Sequence, residues 1–241
     1  MNEVTRSFCQ AAEVYGLSLT DKQVMQFDRY GALLLSWNEK MNLTAIVEPT
    51  EVAVKHFIDA ASVWRADWFT ADIRRVVDVG TGAGFPGLPL KILHPELEVT
   101  LMDALQKRVR FLSEVISALG LSGVMAVHTR AEEGARQKAY RERFDAAVSR
   151  AVAPLSVLAE YTLPFVRVGG FLAAQKGAKY AAEAQEGAKA LALLGGAPPV
   201  IASVKLPGLD DTRAVLYVKK VRPTPAPYPR KAGTPEKKPL G

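Results

Sequence analysis

Along the first 70 residues the apolar positions recur at helical spacing, and no period-two pattern appears. In "SLTDKQVMQFDRYGALLLSWNEKM", Val24, Phe27, Leu34 and Trp37 mark one face. Thr20 or Ser18 is the expected N-cap, with Asp21 in the first turn. In "PTEVAVKHFIDAASVW", Val54, Phe57, Ile58 and Ala61 form a second apolar face, with Thr50 as the expected cap. From Arg75 the rhythm changes. Strand-like runs begin near Val76, Val99, Val124, Phe144 and Gly170, at intervals of 23, 25, 20 and 26 residues. That is the length of a strand–helix–strand crossover. Near-continuous apolar runs, such as "AAV" after Asp145 and "FLAA" after Gly170, suit parallel strands covered on both faces. Between them, "QKRVRFLSEVISALG" sets Phe111, Leu112, Val115, Ile116 and Leu119 on a helix closed by Gly120.

The end of the chain reads differently. "VIASVKL" and "RAVLYVKKV" are joined by the turn-rich "PGLDDT", too short for a crossover, so this pair is antiparallel. The predicted order is five βα units and a closing hairpin. The last 20 residues hold six prolines, so polyproline II or an unordered chain is expected there rather than helix or sheet. Three parts result: a helical extension over 1–70 packed on the catalytic domain, an α/β domain over 71–221, and a Pro-rich basic tail over 222–241.

Composition narrows the partners. Cys9 is the only cysteine, which excludes an intrachain disulfide and a cysteine-built zinc site. His94 and His128 lack any ligand spacing, so no metal is expected. No apolar run approaches the roughly 18 residues of a membrane span, and the N-terminus lacks a signal-peptide core. A soluble, cytoplasmic protein without a membrane partner is expected. The formal net charge is +6. Much of it lies in the tail, where Arg222, Arg230, Lys231, Lys237 and Lys238 face only Glu236. Such a segment suits a polyanion, and solubility is the plainer alternative.

The chemistry concentrates in "VVDVGTGAGFPGLPL", residues 76–90. A strand, a loop with Gly80, Gly82, Gly84 and Gly87, and a helix start make a place where a ligand meets backbone. A phosphate-binding P-loop is excluded, because no G-K-[ST] follows. Two features favour S-adenosylmethionine over a nicotinamide dinucleotide. Asp78, two residues before the first glycine, suits a cationic ligand and is unwelcome beside a pyrophosphate. The closing hairpin is foreign to the dinucleotide fold and is how the seven-stranded methyltransferase sheet ends. Asp103, at the end of "VTLMD", suits ribose hydroxyls in either case.

With "WNEKMNLTA" (37–45), "KHFIDA" (55–60), "DVGTGAGFPGLPLKI" (78–92), "KRVRFL" (107–112), "RAEE" (130–133), "FDAAVSRAVAPL" (144–155), "KG" (176–177) and "TPAPYPRKAGTP" (224–235), the chain resembles the RsmG (GidB) family, the bacterial 16S rRNA guanine-N7 methyltransferases. The resemblance implies a seven-stranded class I S-adenosylmethionine-dependent, Rossmann-like α/β sheet with one antiparallel strand and an N-terminal helical extension. It implies methyl transfer to N7 of guanine-527 of 16S rRNA, free, in the small ribosomal subunit or in an assembly intermediate, by a monomer.

The family's cofactor contacts fall on Gly80, Phe85, Ala131, Glu132 and Arg150; Asp78, Gly82, Gly84 and Asp103 join them by position in the loop and strand end. Glu132 suits the adenine amino group, and equally a helix N-terminus. Arg150 is the candidate for positioning, since a guanidinium there holds a carboxylate or phosphate. Arg230, Lys231, Lys107 and Arg108 are candidates for RNA phosphates, with Arg110 beside them. His56 shares a helix face with Asp59 toward the substrate side. Tyr228 is available for base stacking.

What is missing also informs. Cys9 is far in sequence from the sheet, so a cysteine nucleophile is disfavoured. The segment after the fourth strand reads "SRAVAP", not the Asn/Asp-Pro-Pro-aromatic loop of exocyclic-amine enzymes, nor a carboxylate cluster for a metal. Guanine N7 has a free lone pair and no proton to lose, so it needs orientation rather than a general base. An NAD(P)-dependent oxidoreductase and a non-catalytic RNA-binding protein are the competing readings.

Overall fold

A computed structural model describes residues 1–241. At its centre is one seven-stranded sheet: β1 (Arg75–Val79), β2 (Glu98–Asp103), β3 (Val124–His128), β4 (Phe144–Arg150), β5 (Val166–Lys176), β6 (Val200–Val204) and β7 (Arg213–Lys219). The spatial order is β3-β2-β1-β4-β5-β7-β6. The first five strands pair in parallel, and β7 lies antiparallel between β5 and β6. Strand order reverses between β1 and β4, so a crevice opens at their carboxyl ends.

Helices α1 (Glu3–Tyr15), α2 (Asp21–Met41), α3 (Pro49–Val52) and α4 (Asp59–Ala61) precede the sheet, with a π-helical segment at Ala53–Ile58 between the last two. Thr20 caps α2 in a reciprocal capping box with Gln23. The cap of α3 is Glu48, not Thr50: its carboxylate accepts from the N–H groups of Thr50 and Glu51. Pro49 fits the first helical position, which puts Thr50 inside the helix. Phe8, Phe27 and Phe57 meet at ring-centroid distances of 4.4 to 5.3 Å. These rings are continuous with one face of the sheet, where Val76, Leu101, Val148, Phe171 and Tyr217 lie in the same core.

The crossover helices are α5 (Gly87–Leu93), α6 (Gln106–Ala118), α7 (Ala131–Gly134), α8 (Leu155–Thr162), α9 (Tyr180–Glu186) and α10 (Ala188–Leu193). β5 starts at Val166, earlier than the Gly170 expected from sequence. The register against β4 jumps from Phe144↔Val166 to Ala146↔Phe171, so the exposed residues between them hide the strand's start from a hydrophobicity reading.

The tail departs from expectation. It is packed, and it carries a short helix, α11 (Thr234–Lys237). Tyr228 and Leu240 lie against the second face's core, beside Leu155, Leu158 and Leu163. Arg141 donates to the carbonyls of Thr224 (3.0 Å) and Tyr228 (2.7 Å), and Arg136 to that of Pro229 (2.5 Å). Prolines leave carbonyls with few intrachain donors, and arginine forks supply them. Glu160, fully buried on α8, takes the Arg230 guanidinium on both oxygens, at 2.6 Å from Nη2.

Arg230→Ala strands a buried carboxylate. Truncating one partner of such a pair costs several kcal/mol, and the part-exposed arginine places this case at about 2–3 kcal/mol. Thermal or denaturant unfolding of the single variant should show that loss, and the double variant Arg230→Met/Glu160→Leu should recover part of it.

A second expectation concerns pH. The ring of His94 stacks on Trp64, and burial pulls its pKa from 6.5 down to about 4. The unfolded chain therefore binds the extra proton first. Stability from this site is complete above pH 6.5 and drains away as pH falls towards 4. Replacing the ring by His94→Phe keeps the stacking and should flatten the melting-temperature slope across that window.

Candidate active site

Asp78 organises the glycine loop. It is wholly buried at the end of β1. Its Oδ2 accepts from the Thr81 hydroxyl at 2.6 Å and from the Gly87 N–H at 2.8 Å, tying the two ends of the loop together. Burial pushes its pKa up to about 7, against the pull of those two hydrogen bonds. Its Oδ1 has no partner. An orphaned buried carboxylate oxygen beside an open loop fits an ammonium or sulfonium ligand.

The glycines differ in what they do. Gly82 has φ +61°, and a Cβ added there would meet nothing within 4 Å. Gly84 has φ +101°, and a Cβ would sit 2.4 Å from Leu88 and 2.8 Å from the Tyr30 hydroxyl. The first is open toward a ligand; the second is a packing requirement. Tyr30 donates to the Ala83 carbonyl at 2.6 Å, so α2 fixes the loop from behind.

Asp103 closes the other side. Its Oδ2 accepts from the Gly82 N–H at 2.9 Å and its Oδ1 from the Leu105 N–H at 2.8 Å. Arg108 reaches Oδ2 at 3.4 Å. A carboxylate has about four acceptor positions, so capacity remains for a ribose. A cavity of about 130 Å³ runs between Gly80, Asp103, Ala131 and Glu132, with Val152 and Tyr161 in its wall. Glu132, itself buried, accepts from the Gly233 N–H of the tail at 2.8 Å. The open glycine loop and the two acids suit a ligand that carries both a cation and hydroxyl donors, and the cavity beside them would take part of it.

Val152 also borders a larger cleft of about 750 Å³ at the ends of β4 and β5. Arg150 stands at its base. It donates to Asp59 Oδ2 (2.9 Å), to the Lys55 carbonyl (3.0 Å) in the π-helical segment, and to His56 Nδ1 (3.1 Å). Arginine has only donors, so His56 is neutral with its proton on Nε2, directed at Thr44 Oγ1 at 2.8 Å. Burial, then the Arg150 charge, lowers the His56 pKa to about 3. Asp59 gives its second oxygen to Arg213 at 2.9 Å. The next residue, Ala151, has φ +54°, a conformation side chains rarely adopt and one that gathers at functional sites.

The predicted residues thus divide. Gly80, Asp103, Ala131 and Glu132 surround the smaller cavity, and Arg150 and His56 the larger. Asp78, Gly82 and Gly84 shape the loop. Phe85 lines neither cavity. Its ring stacks on His56 at 4.6 Å and lies under the Arg150 guanidinium at 4.7 Å, anchoring the loop to the helical segment. Lys107, Arg110 and Lys231 are exposed. Arg108 and Arg230 are engaged, on Asp103 and Glu160. Pattern reading passed over Tyr30, Thr81, Val152 and Arg213. Tyr30 sits on an amphipathic helix like any core residue, and a lone arginine opening a strand carries no signal.

The chain matches the family described as GidB, rRNA small subunit methyltransferase G, over residues 23–210. It is 47% identical over 240 residues to the ribosomal RNA small subunit methyltransferase G of Desulforamulus reducens, covering 100% of both chains. It is 50% identical to the protein of the same name from an Exiguobacterium species, again over 100% of both. Among solved structures, a predicted O-methyltransferase from Agrobacterium tumefaciens shares the fold, with a TM-score of 0.53 at 21% identity over 69% of this chain and 84% of that one.

Gly82→Val should abolish S-adenosylmethionine binding in calorimetry while the protein stays folded, whereas Gly84→Ala should lower the melting temperature. Asp103→Ala removes a charged acceptor, a loss of about 1.5–3 kcal/mol or roughly ten- to a hundredfold in cofactor affinity. Wild-type affinity in that variant would remove Asp103 from the cofactor site.

Proposed function

The chain belongs to the rRNA small subunit methyltransferase G family, and we propose that it transfers the methyl group of S-adenosylmethionine to N7 of a guanine in 16S rRNA. The observation that supports this reading is that Val152 lines both the smaller cavity beside Gly80 and the larger cleft, where the imidazole of His56 and the guanidinium of Arg150 are already engaged. S-adenosylmethionine supplies an electrophilic methyl on a sulfonium. Everything else falls to the chain: to hold the donor, to align the purine and to keep water out of the line of attack.

The N7 lone pair needs no deprotonation, and the residues at the junction match that economy. His56 is neutral and engaged at both ring nitrogens. Arg150 presents only N–H donors, which go to Asp59, the Lys55 carbonyl and His56. Cys9, the one thiol, is on α1 rather than at the cleft. Methylation leaves a positive charge on the purine. Asp59, Glu183 and Asp211 line the same cleft, each paired with a lysine or arginine that lines it too, so the cleft as a whole is not an anionic environment for that cation. In this reading the substrate is the small subunit or an assembly intermediate, and the enzyme acts as a cytoplasmic monomer. No helix is long and apolar enough to cross a membrane.

The test is to incubate the protein with radiolabelled S-adenosylmethionine and 30S subunits, or free 16S rRNA, from a strain lacking this methylation. Label should enter one guanine at N7, mapped by chemical cleavage at 7-methylguanine. Label at a base amine, on a pyrimidine or nowhere in the RNA would overturn the assignment.

A further inference from the structure

Two charged residues that line the larger cleft do not border the smaller cavity. Lys176, the last residue of β5, is buried. Its Nζ donates to the Ala153 carbonyl at 2.5 Å and meets Glu183 Oε2 at 2.7 Å. An ammonium has three N–H donors, so one remains. Glu183, on α9, uses the same Oε2 to accept from the Leu155 N–H at 3.0 Å. Its other oxygen, Oε1, takes no hydrogen bond from the protein. The pair thus offers a free cationic donor beside a free anionic acceptor. Both residues line the cleft of about 750 Å³, together with Arg150, Val152 and Ala153. That volume lies in the range of small-molecule sites, with room for a nucleotide swung out of its RNA. A further acceptor at its base, Gln175 Oε1, is buried and unpartnered.

Donor next to acceptor is a chemical complement. Along its Watson–Crick edge guanine presents O6, an acceptor, then N1–H and N2–H, donors. Adenine presents the reverse at the first two positions, an amino donor and a ring acceptor. N7 lies on a different edge of the purine, so the edge can be read while N7 stays free to react. Lys176, at the end of β5, and Glu183, on α9, meet the cleft beside Ala153, the residue after the Val152 that borders both cavities.

Resting on the methyltransfer reading above, we propose that this cleft is the pocket of the target guanine, and that Lys176 reads O6 while Glu183 reads N1–H. Their tie to each other and to the Ala153 carbonyl and Leu155 N–H fixes both against the loop that follows β4. They are specificity residues: they touch the base but not the atoms that exchange the methyl group.

The experiment uses reconstituted small subunits whose target position carries guanine, inosine, 2-aminopurine or adenine. All four keep N7. Inosine also keeps O6 and N1–H, whereas 2-aminopurine and adenine lack both. The wild-type enzyme should methylate inosine within a few-fold of guanine, and the other two at least tenfold more slowly. Glu183→Gln and Lys176→Gln should each cut kcat/KM on guanine by about ten- to a hundredfold, the worth of one charged hydrogen bond. Both should narrow the guanine to 2-aminopurine ratio, with calorimetric affinity for S-adenosylmethionine unchanged. Wild-type indifference between guanine and 2-aminopurine would overturn the proposal whether or not the variants fold. So would a folded Glu183→Gln enzyme that keeps the full ratio. Failure of the underlying reading looks different: no base at the target position is methylated at N7 by the wild type.

Discussion

The site depends on one buried carboxylate. Asp78 sits where β1 ends, shielded from water, and spends its Oδ2 on the hydroxyl of Thr81 and the amide of Gly87. An unpaired carboxylate in such a place costs several kcal/mol, and each donor that reaches it recovers part of that cost. The loop is therefore drawn back onto the end of the strand. Its glycines let the backbone follow, and α5 starts where the loop closes. Burial and the hydrogen bonds pull its protonation in opposite directions, and burial has the larger effect. A cation brought to its bare Oδ1 would tip that balance toward the charged form.

Around this centre the N-terminal helices work as scaffolding. Tyr30 holds the loop's backbone, and the Phe8–Phe27–Phe57 cluster steadies the helix that supports it. Phe85 passes the constraint on, with the His56 ring on it and the Arg150 guanidinium over its face. Arg150 in turn bridges β4 to the π-helical segment, and Asp59 links it to Arg213 on β7. The glycine loop and the larger cleft are therefore tied together through Phe85 and Arg150. A shift in either would have to move charged groups that are paired out of water.

The sheet, its hairpin ending and the helices around it were legible from periodicity and crossover length, because burial on two faces writes continuous apolar runs. The glycine loop was legible because backbone at positive φ selects glycine. Pattern reading failed where partners decide. Six prolines read as an unordered tail, yet Arg136 and Arg141 satisfy the carbonyls of residues 83 to 93 positions away in sequence, and Glu160 holds Arg230. Arg230 reads as a free cation because its carboxylate lies on a helix 70 residues earlier. The packing of Phe85 against His56 and Arg150 was likewise invisible in the sequence. Long-range pairing of polar groups leaves no local trace in composition or spacing.

The contact between Glu132 and the Gly233 amide carries a further consequence. Glu132 borders the smaller cavity, and the group that fixes its carboxylate lies 101 positions later in the sequence. Docking of the segment around Gly233 and the shape of that cavity's wall are therefore coupled. Whatever loosens the segment also frees the carboxylate, and whatever occupies the cavity feels whether the segment is in place.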